Sequence, residues 1–480
     1  MKLNNTIPCV VDLDGTLIST DSLHESLLKL ILKNPFTVLK FPFWLLSGKA
    51  SFKAKVSSLI EIDAATLPYN SELIEWLEVQ KNGGRSLVLC TAADIKIADA
   101  ISNHMPIFDV VMASDGDINL AGVNKGEALK NRFGEKGFDY AGDSNIDFGV
   151  WKYARKAIIV GSHPSLSRKV ADICEIDVVM PNKNSSFLSI IKALRLHQWL
   201  KNILLFVPIL AAHEISNVGL LLNVAFGFVA FSLTASSVYL VNDLADLDND
   251  RGHPRKCRRP FAAGDIPLYY GIALSPLLLC AGFFIASYLN NVFLLFLLAY
   301  LCITTLYTFV IKKLVLVDCL TLAFLYTLRI VAGAAAVEQE LSFWLVAFAV
   351  FLFLSLAFIK RYAEINSAKV IQNGHISGRG YIEGDGLLVL VMGIAASYLS
   401  VMVFALYLNS ESITLLYKLP EMMWAQIPIL LFWISWMWLQ SHRANMHDDP
   451  LVFAIKDKVS LICGLIFSLV GVAATVGMPL

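Results

Sequence analysis

Residues 236–256 read SSVYLVNDLADLDNDRGHPRK. The stretch opens as the end of an apolar helix and then sets Asp243, Asp246, Asp248 and Asp250 in a row where the apolar sequence gives out. Side chains three or four positions apart share a helical face, so Asn242, Asp243, Asp246 and Asp250 are expected to point together at the mouth of a membrane span. Carboxylates gathered without a basic residue between them repel one another and invite a divalent cation, and an all-oxygen donor set favours Mg2+. Magnesium in turn favours a diphosphate. The next segment, HPRKCRRPFAAG (253–264), brings Lys256, Arg258 and Arg259 to the same mouth, where they can take the remaining phosphate charge. A basic loop of this kind is also an ordinary topology signal, whereas carboxylates at a membrane boundary are costly and point to a function.

The composition requires a membrane. Of 480 residues, 56% are hydrophobic and 16% charged, and the mean hydropathy is +0.62, too apolar for an ordinary soluble protein. Lys and Arg number 39 against 39 Asp and Glu, so no net field argues for nucleic acid as a partner. The eight cysteines are scattered without a CxxC pair, which fits a reducing compartment and no disulfides or structural zinc. From about residue 187 onward, about nine stretches approach the ~20 residues that cross a bilayer: 190–213, 216–242, 269–289, 291–309, 317–337, 342–359, 386–408, 421–440 and 459–478. The connections RGHPRKCRR, IKK, KRYAEINSAK and HRANMHDDPLVFAIKDK are rich in Lys and Arg, and those between them are poor in both. The positive-inside rule therefore predicts a cytosolic N-terminal region and an outside C-terminus, in the inner (cytoplasmic) membrane. The first residues, MKLNNTIPCVVDLDGTL, lack the pattern of a signal peptide, in keeping with that placement.

Residues 1–182 obey another grammar. Short β-branched runs (CVVDLD, RSLVLCTAA, DVVMAS, AIIVGS) alternate with mixed-charge helical segments, predicting a parallel α/β domain. A linker is expected at 183–188, at the end of VVMPNKNSSF (178–187), and a helical membrane domain over 189–480. The apolar run LLKLILKNPFTVLKFPFWLLSG (27–48) is broken by Lys33, Pro35, Lys40 and Pro42, so we read it as an apolar surface touching lipid rather than a span.

In VVDLDGTL an apolar strand ends in Asp12, then Asp14, Gly15 and Thr16. Two carboxylates at a strand's C-terminal end suit attack on phosphorus by one and proton transfer by the other, with Mg2+ neutralising charge. Thr91 ends a second strand, Lys125 lies in VNKGEAL, and YAGDSNID places Asp143 and Asp147 after a third. This ordered set, over about residues 7–180, resembles the haloacid dehalogenase (HAD) phosphatases. The resemblance implies a Rossmann-like fold with a helical cap over about 17–84 and a phosphate monoester as substrate. It further implies Asp12 as nucleophile, Asp14 as acid and base, Thr91 and Lys125 on the phosphoryl oxygens, and Asp12, Asp14, Asp143 and Asp147 around Mg2+.

The pattern NDxxDxxxD followed by HPxKxxRPxxxG resembles the UbiA superfamily of intramembrane prenyltransferases, over about residues 190–480. It implies a UbiA fold in which the acidic motif holds Mg2+ and the donor's diphosphate. The second aspartate-rich motif usual among aromatic prenyltransferases of that superfamily is not found. Instead RLHQWLKN supplies Arg195, Lys201 and Asn202; LYTFVIKKLVLVDCL supplies Tyr307, Lys312, Lys313 and Asp318; LYTLRIVAGA supplies Arg329; and FIKRYAEI supplies Lys360, Arg361 and Glu364. These look like the decaprenyl-phosphate phosphoribosyltransferase branch, which implies phosphoribosyl pyrophosphate (PRPP) as donor and a polyprenyl phosphate as acceptor. Two phosphorylated substrates need more cations than a prenyl diphosphate meeting a phenol, and an arginine inside a span calls for a partner, either substrate or Asp318 or Glu364. An aromatic prenyltransferase with an unrelated HAD domain is the alternative; a non-catalytic transporter or scaffold, and an incidental fusion whose phosphatase serves a soluble substrate, are the others. Asp448, Asp449 and Asp457 are expected in a solvated loop.

Overall fold

The six strands of the N-terminal region, Cys9–Val11 (β1), Leu87–Asp94 (β2), Val110–Ser114 (β3), Asp139–Gly142 (β4), Lys156–Val160 (β5) and Glu175–Met180 (β6), form one parallel sheet in the order β3-β2-β1-β4-β5-β6. We describe a computed structural model over residues 7–115, 117–161, 164–180, 187–366, 371–372, 375–376, 379–410, 413, 416–446 and 449–477. Parallel strands covered on both faces read as continuous apolar runs, and Cys9, Val10 and Val11 are wholly buried. Leu13, Leu89, Ile97 and Ile158 lie in the core of one face, and Val10, Leu129, Tyr140 and Trp151 in that of the other. The chain continues from β1 to β2 on one side, while β4 pairs on the other, with Val11 registered to both Leu89 and Ala141. This is a topological switch point, where strand ends leave a crevice for a ligand.

Between β1 and β2 lies a helical insertion. Helix α1, Ser22–Lys33, is capped by the Asp21 carboxylate, which accepts from the amides of Leu23 and His24. Pro35 then starts a short 3-10 turn, and Pro42 sits in the first turn of α2, Phe41–Leu46, before α3, Lys49–Leu59. The prolines therefore divide the 27–48 run into short pieces instead of one span. Leu30, Phe52 and Val56 make a small core that Phe41 and Trp44 join, while Phe36, Leu39, Phe43 and Leu46 are 71–85% exposed.

The chain forms two compact units, Met1–Leu194 with Tyr239–Leu274, and Arg195–Val238 with Ser275–Leu480. The first therefore takes in the acidic motif and its basic loop in addition to the α/β region. Arg251 and Glu25 of α1 pair through contacts of 2.5 and 3.3 Å with both side chains nearly inaccessible, and Lys29 meets Asp248 at 2.8 Å. Gly264, at φ +75°, lies so close to Ser19 that a Cβ there would come within 2.7 Å of the serine Cβ. Most of the expected linker, residues 183–186 of 183–188, lies outside the described residues.

Among the described residues eight helices are long and apolar enough to cross a membrane: Val218–Ala245, Leu268–Ser287, Asn291–Phe309, Val317–Ala336, Phe343–Ile365, Glu383–Leu408, Pro420–His442 and Lys458–Val476. Of the about nine expected stretches, the first differs. Helix Phe187–Ala193 stops before Arg195, which adopts a left-handed φ of 51°, and a separate apolar piece runs over Leu196–Ala211.

Candidate functional site

In the first unit, Asp12 stands at the end of β1. Its Oδ1 accepts from the Leu13 amide at 2.7 Å, and its Oδ2 meets Lys125 Nζ at 2.7 Å and the Tyr140 hydroxyl at 3.2 Å. Lys125 projects from the helix Val123–Phe133 and is buried. Burial alone would lower its pKa, but the neighbouring charges of Asp12 and Asp147 hold it above the usual lysine range. The Tyr140 hydroxyl also reaches Asp147 Oδ1 at 2.8 Å and Lys125 Nζ at 3.1 Å. Asp147 Oδ2 accepts from the amides of Asp143 and Ser144 at 3.2 and 3.0 Å, so it orients the turn that carries Asp143. Tyr140 ties these groups together and carried no motif signal, because one aromatic residue in a strand reads as core.

Asp14 accepts from the Ser22 amide at 2.7 Å, and Asp143 from the Thr16 hydroxyl at 3.3 Å. Burial, then the charge of Asp21, pushes Asp14 up to about 7, and burial with Asp147 pushes Asp143 up to about 8. Asp147 is raised as well, by burial and then by Asp12. Buried carboxylates that keep their protons near neutrality are short of positive charge, and an all-oxygen set of this kind fits Mg2+. Among the described residues, however, no three acidic, histidine or cysteine side chains close a ready metal cage. Thr91 is wholly buried, and its hydroxyl accepts from the Ala93 amide at 2.9 Å. A cavity of about 70 Å³ beside Asp14 is lined also by Asp21, Lys53 and Asp94. Lys53, from α3, donates to the Ala92 carbonyl at 2.7 Å, and its pKa is lowered by burial. Nothing in its local sequence singles it out.

The acidic motif in the same unit departs from a single helical face. The helix ends at Ala245, Asp246 takes φ −95° and ψ 13°, and a second short helix, Leu247–Arg251, starts after it. Asp243 and Asp250 are buried and converge on one atom, Arg259 Nη1, at 3.1 and 2.5 Å. Lys256 Nζ lies 4.0 Å from Asp250. The two carboxylates thus meet at a point that seats a positive charge, filled here by guanidinium, while Asn242 and Asp246 are half-buried beside it. Burial, opposed by Arg259, raises the pKa of Asp250. Arg258 is exposed and lines a separate cavity.

In the second unit the cations sort into two groups. Asp318 and Arg361 are wholly buried and paired with each other; Arg361 also pairs with Glu364, and Tyr381 donates to Asp318 at 2.7 Å. Arg379, which sequence reading passed over, donates to the Tyr307 hydroxyl at 2.9 Å and to the Lys312 carbonyl at 3.5 Å. Lys313 is exposed. The other group centres on Asp449, which was expected in a solvated loop. Its carboxylate is buried, with Lys201 at 2.8 Å, Lys360 at 3.3 Å and the Tyr326 hydroxyl at 3.1 Å. Burial opposes its charge, but Lys201 and Lys360 hold its pKa well below the usual carboxylate range. Arg329 pairs with neither Asp318 nor Glu364. It donates to Asn202 at 2.9 Å, the Leu325 carbonyl at 2.6 Å and the Tyr300 hydroxyl at 3.2 Å, all neutral acceptors. Asp457 caps the helix Lys458–Val476 through the Ser460 amide and accepts from Trp436. Asp448 lies outside the described residues.

A carboxylate and lysine centre on a parallel sheet, in one chain with eight membrane-length helices, defines a multi-pass membrane enzyme. The chain belongs to the UbiA prenyltransferase family, whose signature matches residues 203–475. It is 36% identical to the uncharacterized protein y4nM of Sinorhizobium fredii over 96% of this chain and 90% of that protein, so that likeness runs through both units. It is 35% identical to the decaprenyl-phosphate phosphoribosyltransferase of Mycolicibacterium smegmatis over 38% of this chain, and spans 58% of that protein's length. A solved phosphoserine phosphatase, a phospho-aspartyl intermediate analogue, matches 37% of this chain and 95% of its own at 18% identity and a TM-score of 0.27.

Proposed function

We propose that the protein transfers 5-phosphoribose from PRPP to a polyprenyl phosphate with release of pyrophosphate, and then removes the 5-phosphate to leave polyprenyl-phosphoryl-ribose. The observation that carries this reading is the coexistence in one chain of a likeness to decaprenyl-phosphate phosphoribosyltransferases and an Asp12–Lys125–Tyr140 centre suited to a phosphate monoester. The product of the first reaction is such a monoester.

In the transfer, a phosphate oxygen of the lipid attacks the anomeric carbon of PRPP. The bond from that carbon to the diphosphate breaks, and pyrophosphate leaves with the electron pair. Because the acceptor is already an anion, no protein base is needed. Asn242, Asp243, Asp246 and Asp250 would hold Mg2+, which when bound supplies charge neutralisation for the leaving pyrophosphate. The convergence of Asp243 and Asp250 on one cationic nitrogen supports this assignment, with Arg259 and Lys256 as further phosphate ligands. Lys201, Lys360 and Arg329 are the cations that we assign to phosphate groups of the substrates, with Asn202 and Arg195 beside them in the chain. Asp318, Arg361 and Tyr307, with Lys312 and Lys313 nearby in sequence, serve instead to fix the helix ends.

In the hydrolysis, Asp12 attacks phosphorus while Asp14 gives its proton to the departing sugar alkoxide. Water then opens the aspartyl-phosphate as Asp14 takes a proton back. Lys125 and Thr91 hold phosphoryl oxygens, and Asp12, Asp14, Asp143 and Asp147 would hold the cation. The exposed face of Phe36, Leu39, Phe43 and Leu46, with Lys33, Lys40 and Lys49 around it, rests on the cytosolic leaflet, where a lipid-borne substrate lies. In this reading the α/β region lies in the cytosol, on the inner membrane, and the C-terminus lies outside.

The test is mass spectrometry of the lipids formed by the purified protein in nanodiscs from PRPP, decaprenyl or undecaprenyl phosphate, and Mg2+. Polyprenyl-phosphoryl-ribose is expected. Failure to consume PRPP, with turnover of a prenyl diphosphate and a phenol, would overturn the transfer. Persistence of the dephosphorylation in an Asp12→Asn variant would overturn the second step.

A further inference from the structure

A cavity of about 520 Å³ in the first unit lies neither at Asp12 nor at the Asp243–Asp250 pair. Its lining includes Thr66 and Tyr69 from the cap, and Arg251, Cys257, Arg258 and Asp265 from the loop that follows the acidic motif. Its size falls within the range of small-molecule sites.

The walls are built. Arg251 is fixed by its buried pair with Glu25 and by donating to the Ala262 carbonyl at 3.2 Å. Thr66 donates to the Asp63 carbonyl at 3.0 Å and reaches Asp248 at 3.4 Å. The Tyr69 ring is stacked against His104, with centroids 6.0 Å apart. Its hydroxyl is buried and has no hydrogen-bond partner among the described residues, an orphan that a bound group would satisfy. Burial and the charge of Asp63 push the phenol up to about 12, so it is a donor at any physiological pH.

One exposed guanidinium, an unsatisfied phenol and a carboxylate together match a ligand that is an anion at one end and carries hydroxyls at the other. Arginine suits a phosphate; tyrosine and aspartate suit sugar hydroxyls. We propose that this cavity binds a 5-phosphoribosyl group, with Arg258 on the phosphate and Tyr69 and Asp265 on the ribose, as a holding site shared by the cap and the acidic loop. The choice of sugar rests on the transferase reading above; the cavity itself does not. A holding site distinct from both reaction centres keeps the phosphorylated headgroup on the enzyme between transfer and hydrolysis.

Cys257 lies in the lining and reports occupancy. The experiment alkylates the full chain, carrying Asp12→Asn to prevent hydrolysis, in nanodiscs with N-ethylmaleimide, and follows each cysteine by peptide mass spectrometry. Ribose 5-phosphate at ten times its dissociation constant is expected to slow alkylation of Cys257 by about tenfold, because only empty cavities react. The exposed Cys280 should be unaffected, and Arg258→Ala should abolish the protection. Repeating the measurement with PRPP in solution, and with phosphoribosyl lipid in the nanodisc, tells a free donor from a lipid-linked headgroup; protection by either supports the site. No protection by any of the three, or equal protection by inorganic phosphate, overturns the proposal. The lipid assay reads the transferase reaction separately, so a missing transfer product would sink that reading and leave this measurement interpretable.

Discussion

At the scale of single residues, the centre around Asp12 was legible because its groups carry both chemistry and order in the chain. Asp12, Asp14, Lys125 and Asp143 could be read from VVDLDGTL, VNKGEAL and YAGDSNID, since strand ends with paired carboxylates have few structural uses. Tyr140, Lys53 and Asp449 were not legible. Each meets a neighbour far away in the chain, which no local pattern encodes: Lys53 reaches Ala92 across 39 positions and Tyr140 reaches Asp12 across 128, while the Asp449 carboxylate meets Lys360 and Lys201 across 89 and 248. Two residue-scale outcomes follow. Asp12→Asn should lower hydrolysis of a soluble phosphomonoester on the order of 10³-fold or more with melting unchanged within a few degrees, as loss of a nucleophile does. The second concerns pH. In the folded chain Asp14 and Asp143 keep their protons up to about 7 and 8, against a usual value of 3.8 in the unfolded chain. Between those limits the folded state binds more protons, so stability falls as pH rises from about 4 to about 8 in EDTA. Melting curves across that window should show the decline, and Asp143→Asn should flatten it. A melting temperature that climbs with pH would contradict the origin of these shifts.

At the scale of elements, periodicity located the eight long helices well and failed at their joints. The first expected stretch, 190–213, is cut at Arg195, and the acidic face of 242–250 is broken at Asp246, because left-handed and near-turn backbone angles leave no mark in a hydropathy profile. Charges inside the helices were read as substrate ligands, and in the structure Asp318 and Arg361 are paired with each other. Asp318→Asn leaves a buried guanidinium short of its partner and should cost about 3–5 kcal/mol, seen as a lower melting temperature in detergent. The reverse outcome, stability intact with transfer lost, would return both residues to the substrate. The cap makes a claim of its own kind. Phe43→Glu with Leu46→Glu changes two side chains that are 71% and 85% exposed, so folding should be untouched. On a soluble phosphomonoester kcat/KM should stay within about twofold, whereas hydrolysis of a lipid-linked substrate in nanodiscs should fall at least about tenfold, since each apolar group buried in lipid is worth ~1.5–3 kcal/mol. Equal loss on both substrates would remove the lipid from the explanation.

At the scale of the whole molecule, the linear division at 182 describes composition but not compactness. Residues 239–274 share a compact unit with the α/β region because long-range polar contacts hold them there, and the Glu25–Arg251 pair joins positions 226 apart. That pair is nearly inaccessible on both sides. Removing one partner therefore strands a buried charge, at a cost of about 3–5 kcal/mol, far more than an exposed bridge would involve. Glu25→Gln keeps the shape and deletes the charge, so it tests whether cap and acidic loop are one cooperative element. If they are, hydrogen exchange should quicken together in Ser22–Lys33 and in 247–265, while β4 and β5, buried in the sheet with pairing of their own, stay protected. The same variant should also raise Cys257 alkylation, because Arg251 forms part of that cavity wall. Faster exchange confined to Ser22–Lys33 would mean that the cap opens alone and that the loop after the acidic motif is held by its own contacts.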